Sequence, residues 1–215
     1  AAIDYRIVDS KTDPVGLTES LHTERLVRLE NGFLCFTPPQ AADIPEWQAS
    51  VERPVTYGCF NALHKLSEYS IGLWSRILRE TPGSRMLVKC PVGSQSLVTE
   101  RVVSEFSRNG IEKSRIEIMP AQKSLSEHLG AYLKMDIALD PFPYHGTTTT
   151  CEALFMGVPV VSLAGDTHIS RVGVSVLSAA GCPQWIAQNE DEYVEIAKAL
   201  SKESRGVEAR EMLRG

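Results

Sequence analysis

Four consecutive threonines (Thr147, Thr148, Thr149 and Thr150) are the residues of this chain best suited to binding an anion. They follow Gly146 and begin a predicted helix, whose first amide groups are unpaired and carry partial positive charge. Capping that helix would require only one threonine, so the run favours contact with phosphates over capping alone. Glu152, within about one further turn, could accept hydrogen bonds from a ribose.

A second group of candidates follows an earlier predicted strand, in the segment 60–65. Lys65 could reach a diphosphate and neutralise the charge that develops on a leaving group. The alternative is a solvated surface lysine, and both interpretations stay open. His128, on a predicted helix, is open to the same two interpretations. Since three further histidines also lie on candidate loops, residue type alone identifies no catalytic histidine (His64, His145 and His168).

Composition and missing motifs exclude several classes of protein. The chain has 215 residues and a formal net charge of −5 without a basic block, which argues against nucleic-acid binding. No apolar run approaches the roughly 20 residues of a membrane span. The five cysteines form no CxxC pair, and four of them have the apolar or small neighbours of reduced cytosolic thiols. The histidines supply no zinc-ligand spacing. Neither GxxxxGK[ST] nor GxGxxG is present, so neither a P-loop ATPase nor a dinucleotide oxidoreductase is indicated.

Hydrophobic periodicity predicts strands alternating with helices, and therefore an α/β fold with a Rossmann-like parallel sheet covered on both faces. Ligands of such sheets bind at the carboxyl ends of the strands. Residues 165–168, after the last of these strands, either cap a helix or line the rim of a pocket. The predicted strands span 5–8, 33–36, 55–60, 85–90, 115–119, 135–140 and 158–163. The predicted helices span 67–80, 95–109, 124–133, a segment from 147 and 168–180, and one or two more lie within 191–214.

Domain organisation follows from the same pattern. Residues 54–215 are predicted to form one α/β domain. The proline-rich segment 37–54 is predicted to be a linker or an extended loop. The sequence before it does not look like a complete domain, and we expect the chain to be a fragment.

Four segments closely resemble the C-terminal catalytic lobe of the O-GlcNAc transferase and SPINDLY family of glycosyltransferases: 60–65, 140–152, 156–159 and 189–193. The resemblance extends from about residue 4 to the end of the chain. It implies a GT-B architecture, in which two Rossmann-like lobes hold the donor mainly through the C-terminal one. Residues 54–215 would be that lobe, and residues 1–53 the end of the first lobe and the connection between them.

The resemblance also implies roles for particular residues. Lys65 would contact the donor diphosphate and act in catalysis, and Gly146, Thr147, Thr148 and Thr149 would bind its phosphates. Glu152 would reach the ribose and His128 would lie against the base. Asn61, in the motif that contains Lys65, is assigned to the same nucleotide-sugar site.

The implied activity is a cytoplasmic, inverting and metal-independent protein O-glycosyltransferase that needs no cofactor. It would transfer GlcNAc from UDP-GlcNAc to Ser or Thr of an acceptor protein. Because Thr147 replaces a histidine of the O-GlcNAc transferases, transfer of fucose from GDP-fucose, as in some SPINDLY proteins, is an alternative. A module that binds nucleotide sugars without catalysis is another. Family members also carry tetratricopeptide repeats and a complete first lobe, which supplies a histidine implicated near the acceptor.

Overall fold

The computed structural model describes residues 3–38, 53–90, 97–203 and 207–214, so most of the predicted linker lies outside the described residues. Its main element is a six-stranded parallel sheet in the order β5-β4-β3-β6-β7-β8. The α/β class predicted from the sequence is confirmed. The strands are β3 (Thr56–Cys59), β4 (Arg85–Cys90), β5 (Ile116–Pro120), β6 (Ile137–Leu139), β7 (Val160–Leu163) and β8 (Ile186–Ala187).

Helices cover both faces of this sheet. One group contains α1, α2 and α6, and another contains α4, α5 and α7. Strand β7 contacts α5 from one group and α6 from the other, and all its residues are buried, as a strand covered on both faces must be. The helices are α1 (Glu68–Glu80), α2 (Leu97–Arg108), α3 (Leu125–Ala131), α4 (Thr148–Phe155), α5 (Val172–Ala179), α6 (Glu190–Lys202) and α7 (Val207–Arg214).

Local sequence explains why these helices begin and end where they do. Ser67 caps α1 by accepting a hydrogen bond from the amide of Ser70, and Ser124 caps α3 in the same way. Gly110 and Gly181 follow α2 and α5 with φ of 78° and 72°, a conformation that glycine adopts without strain. The ends predicted for these two helices, at residues 109 and 180, agree with the structure to within one residue.

Residues 3–38 form a separate unit of secondary structure. β1 (Tyr5–Asp9) pairs in parallel with β2 (Arg25–Leu29), and these two strands make their own sheet. The strand predicted at 5–8 is confirmed. Two buried carboxylates attach the segment to the six-stranded part. Asp9 accepts hydrogen bonds from Ser175 Oγ at 2.5 Å, and Asp13 accepts one from His168 Nδ1 at 2.6 Å.

The strand predicted at 33–36 is wrong. These residues have no regular secondary structure, and the amide of Phe33 donates to Asp9 Oδ2 at 2.9 Å instead of to a neighbouring strand. Phe33, Leu34 and Phe36 pack against the core while Cys35 is exposed. A short apolar run indicates burial but does not distinguish a strand from a loop that packs on helices.

Candidate functional site

The candidate residues converge where the direction of chain winding reverses. β3 and β6 are neighbours, but the chain passes from β3 to β4 on one side and from β6 to β7 on the other. In parallel sheets this arrangement opens a crevice at the carboxyl ends of the two central strands. Asn61 and Lys65 follow β3, and the loop 140–146 follows β6, so both sets of candidates lie at this crevice.

The threonine run begins α4 as predicted, but capping does not explain it. Thr147 precedes the helix and its side chain makes no capping hydrogen bond. The amide of Cys151 donates to the carbonyl of Thr147, so the amides before Cys151 belong to the first turn, which has no intrahelical acceptor. Thr148 is exposed, while Thr147 and Thr149 are half-buried. The start of α4 therefore presents several donors to the crevice.

Gly146 allows a close approach that no other residue would permit. A Cβ at this position would lie 2.5 Å from Thr150 Oγ1, 2.6 Å from Thr149 Oγ1 and 2.9 Å from Asn61 Oδ1. Thr149 Oγ1 also donates to Asn61 Oδ1 at 2.9 Å, which joins the two candidate loops. The amide of Gly146 donates to Asp140 Oδ1 at 2.7 Å, so this amide holds the loop in place. The amides that can meet an anion are those that follow it.

Lys65 is held in place, unlike a solvated surface lysine. Its Nζ donates to the carbonyl of His145 at 2.7 Å and lies 4.1 Å from the centre of the Tyr144 ring. Burial lowers the pKa of Lys65, and the nearby Asp140 carboxylate opposes that change. The ammonium therefore lies beside the loop that leads into the threonine run.

Glu152 and His128 form a hydrogen-bonded pair. Glu152 Oε2 accepts from His128 Nε2 at 2.8 Å and from the Tyr132 hydroxyl at 2.9 Å. Burial raises the pKa of Glu152, but these two hydrogen bonds outweigh it and leave the pKa below its usual value. No residue in the described part of the chain donates a hydrogen bond to the other carboxylate oxygen, Oε1. One oxygen of a buried carboxylate is thus available to accept from a ligand hydroxyl.

Sequence reasoning missed three residues of this site. Lys89 Nζ contacts His128 Nδ1, so His128 carries its proton on Nε2 and donates it towards Glu152. Lys89 lies near the carboxyl end of β4, where the strand-end rule could have found it. Tyr132 lies four residues after His128, on the same side of a helical turn. Asp140 ends a predicted strand, yet nothing in the sequence indicates that it holds the next loop.

The remaining histidines have structural environments. His145 is fully buried, donates from Nε2 to the carbonyl of Leu163 and accepts at Nδ1 from the amide of Gly173. Burial lowers the pKa of His145, and both contacts fit a neutral ring. His64 is exposed beside Tyr144. His168 follows a helix cap at Thr167, whose amide donates to Ser170 Oγ, and its ring faces Asp13, so the capping alternative for 165–168 is the one observed.

Other features of the described residues limit the chemistry. No group of three or more His, Cys, Asp or Glu side chains in the described ranges is arranged to hold a metal ion. All five cysteines are free, and four of them are buried. None of the helices in the described ranges is both long enough and apolar enough to cross a membrane.

Comparisons with known proteins place this chain in a family. The model of glycosyl transferase family 41 matches residues 47–213. A protein of Petunia hybrida named "Probable UDP-N-acetylglucosamine--peptide N-acetylglucosaminyltransferase SPINDLY" is 46% identical over 203 residues, which are 94% of this chain and 22% of that protein. A UDP-N-acetylglucosamine--peptide N-acetylglucosaminyltransferase of Caenorhabditis elegans is 30% identical over 146 residues, 67% of this chain and 12% of that protein.

A solved structure of an O-GlcNAc transferase also resembles this chain. An O-GlcNAc transferase mutant of Thermobaculum terrenum superposes with a TM-score of 0.89 at 34% identity, covering 99% of this chain and 40% of that one. A sucrose-phosphate synthase of Thermosynechococcus elongatus, at 14% identity and a TM-score of 0.60, shares the fold. The chain spans about a fifth of the SPINDLY relatives it matches. The resemblance to the C-terminal lobe of a GT-B glycosyltransferase is confirmed, and the chain belongs to glycosyl transferase family 41.

Proposed function

We propose that this chain is the nucleotide-sugar-binding lobe of a cytoplasmic protein O-glycosyltransferase. It transfers GlcNAc from UDP-GlcNAc to Ser or Thr of an acceptor protein, with inversion and without a metal ion or other cofactor. The names of the relatives support transfer to peptides, and free cysteines fit a reducing compartment. Residues 54–215 are the C-terminal lobe, and residues 1–53 belong to the end of the first lobe and the connection. The rest of the first lobe and tetratricopeptide repeats complete the protein.

The observation that carries this proposal is the convergence of positive charge at one crevice. The Lys65 ammonium donates to the carbonyl beside Gly146, and the first turn of α4 begins directly after Gly146. Together they offer a charge and several amides to the diphosphate. Glu152 Oε1 accepts from the ribose, and His128 lies against the base. Asn61 supports the threonine run through Thr149.

The reaction then proceeds as a single displacement. The acceptor hydroxyl oxygen bonds to the anomeric carbon from the face opposite the diphosphate, which inverts the configuration. The bond from that carbon to the diphosphate oxygen breaks, and the electron pair leaves with the diphosphate. Lys65 and the amides of Thr147, Thr148 and Thr149 stabilise the charge that develops there. The proton of the hydroxyl passes to a base in the first lobe.

Transfer of fucose from GDP-fucose is the second candidate, and Thr147 is the residue that favours it. It stands where the O-GlcNAc transferases have a histidine, and its side chain makes no capping bond in this structure. Titration of the chain with UDP, GDP, UDP-GlcNAc and GDP-fucose by calorimetry distinguishes the two donors. If GDP and GDP-fucose bind more tightly than UDP and UDP-GlcNAc, the proposed donor becomes GDP-fucose.

The same titration tests the proposal as a whole. If none of the four compounds binds, the proposed site is refuted. If they bind but the full-length protein transfers no sugar, the chain is a non-catalytic nucleotide-sugar module. In the full-length protein we expect Lys65→Ala to lower kcat roughly 100-fold, because it removes the charge facing the leaving group. Lys198→Ala, which removes a lysine of α6 that is paired with Glu80 and Glu195, is the matched control and should leave kcat unchanged.

A further inference from the structure

We propose that Tyr144 is a positioning residue for Lys65, whose ring fixes the ammonium at the place where a nucleoside diphosphate binds. This inference rests on the function proposed above and concerns the same site. Tyr144 lies three residues before the threonine run, on the loop that follows β6.

The loop that carries Tyr144 is anchored on both sides of it. The carbonyl of Phe142 accepts from Ser67 Oγ at 2.6 Å and from Ser70 Oγ at 2.9 Å, and the amide of Phe142 donates to Ser70 Oγ at 2.8 Å. Beyond Tyr144, the amide of His145 donates to the carbonyl of Ile169 at 3.0 Å. The position of the Tyr144 backbone is therefore set by α1 and by the loop after β7.

The Tyr144 ring makes its contacts through its faces and edges. Tyr144 is 41% exposed, and the centre of its ring lies 4.1 Å from Lys65 Nζ. The ring meets the His64 ring edge-on, with the two centroids 6.0 Å apart. Within the described ranges, the Tyr144 hydroxyl has no hydrogen-bond partner. The aromatic ring is thus the part of this residue that acts on Lys65.

A cation held against an aromatic ring is stabilised most when both are partly removed from water. Lys65 is half-buried, and a lysine side chain has four methylene groups that would otherwise let the ammonium move. One of its N–H groups donates to the carbonyl of His145, and the Tyr144 ring limits the remaining freedom. The ammonium is thereby in place before the diphosphate arrives.

The ring also favours the charged form of Lys65. Burial lowers the pKa of this lysine, and the groups that face it are the Asp140 carboxylate and the Cys59 thiol. Burial raises the pKa of the Cys59 thiol to about 12. His145, which is also nearby, donates from Nε2 and accepts at Nδ1, as a neutral ring does. Diphosphate binding that depends on the ammonium is lost as pH rises through the pKa of Lys65. Without the ring that pKa falls further, so the loss moves to lower pH.

The test compares Tyr144→Leu and Tyr144→Phe in calorimetric titrations with UDP and GDP, and with uridine and guanosine as probes that lack the diphosphate. We expect Tyr144→Leu to weaken binding of the diphosphates on the order of tenfold and to leave nucleoside binding unchanged. Tyr144→Phe keeps the ring and should stay within about twofold of the unchanged protein. The alkaline loss of diphosphate binding should shift to lower pH in Tyr144→Leu only.

Tyr69→Leu is the matched control. Tyr69 is 42% exposed and its ring packs against Phe142 of the same loop, whereas the ring that Lys65 faces is that of Tyr144. An equal loss in Tyr69→Leu would mean that loop packing is responsible, and would overturn the inference. Unchanged diphosphate binding in Tyr144→Leu, or equal losses in the Leu and Phe variants, would also overturn it. Failure of the unchanged protein to bind UDP or GDP would instead refute the proposed function on which it rests.

Discussion

The six-stranded sheet and the two-stranded β1–β2 sheet are both parallel, yet only the first is covered. In the six-stranded sheet, every residue of β6 and β7 is buried. In the two-stranded sheet, large apolar residues remain exposed (Tyr5, Ile7, Val27 and Leu29). Two strands rarely form a stable sheet alone, and parallel sheets are normally covered on both faces. The first part therefore has its own core, whereas the second depends on contacts with it through Asp9 and Asp13.

The largest expected difference between the two parts is in the free energy of unfolding, when one isoleucine is replaced by alanine in each. Ile77 in α1 is fully buried, and Ile7 in β1 is 61% exposed. We expect Ile77→Ala to lower the free energy of unfolding by about 2–5 kcal/mol because it leaves a cavity. Ile7→Ala should change it by less than about 0.5 kcal/mol. Denaturant unfolding of both variants measures the difference, and similar losses would show that β1 is covered like α1.

A smaller effect should follow from breaking the attachment between the parts. Asp13 is buried and accepts hydrogen bonds from His168 and from His22, so Asp13→Asn should cost about 1–3 kcal/mol. Hydrogen exchange should quicken in β1 and β2 while β6 and β7 keep their protection. Uniform exchange throughout both sheets would contradict the division into two parts.

Lowering the pH should weaken the attachment of the β1–β2 sheet in the unmutated protein as well. Burial raises the pKa of Asp13, but the hydrogen bond and charge of His168 outweigh it and leave the pKa below its usual value. A carboxylate with a lowered pKa contributes stability above its unfolded pKa of about 3.9, and this contribution is lost as pH falls through the folded value. Hydrogen exchange of β1 and β2 should therefore accelerate below about pH 4 before that of the six-stranded sheet.

The smallest effects concern the site, which lies wholly in the six-stranded part. Gly146→Ala would displace the hydroxyls of Thr149 and Thr150, so we expect affinity for UDP or GDP to fall roughly tenfold, or about 1.4 kcal/mol. Gly72→Ala is the matched control, since a Cβ there meets no atom within 4 Å. It should leave affinity unchanged and stabilise α1 by up to about 1 kcal/mol. Calorimetry and thermal unfolding measure the two quantities, and unchanged affinity in Gly146→Ala would refute the close approach.

Most of the fold could be predicted because its elements have strong local signals. Hydrophobic periodicity predicted α1, α2 and α5 correctly, and the strand-end rule located the crevice. β8 was not predicted, since its two residues, Ile186 and Ala187, are too few to show a pattern. Residues 33–36 were wrongly predicted to be a strand because burial against helices produces the same apolar run.

The site was only partly predictable, for a different reason. Glycine, threonine and lysine at strand ends have chemistry that a sequence displays directly. The contact of Lys89 with His128 and the hydrogen bond from Thr149 to Asn61 depend on how strands are ordered across the sheet. That order brings β4 beside β5 and β3 beside β6, and no local spacing records it.

The anchored loop 140–146 has a consequence for the energetics of binding. The carbonyl of Asp140 accepts a hydrogen bond from the Tyr193 hydroxyl, and the backbone of Phe142 is hydrogen-bonded to Ser67 and Ser70. The buried ring of His145 forms hydrogen bonds with both β7 and α5. Ordering a flexible loop would oppose association through lost conformational entropy. Here folding has already ordered it. A nucleotide therefore meets a preorganised surface, and its binding free energy is not reduced by the entropy of arranging the loop.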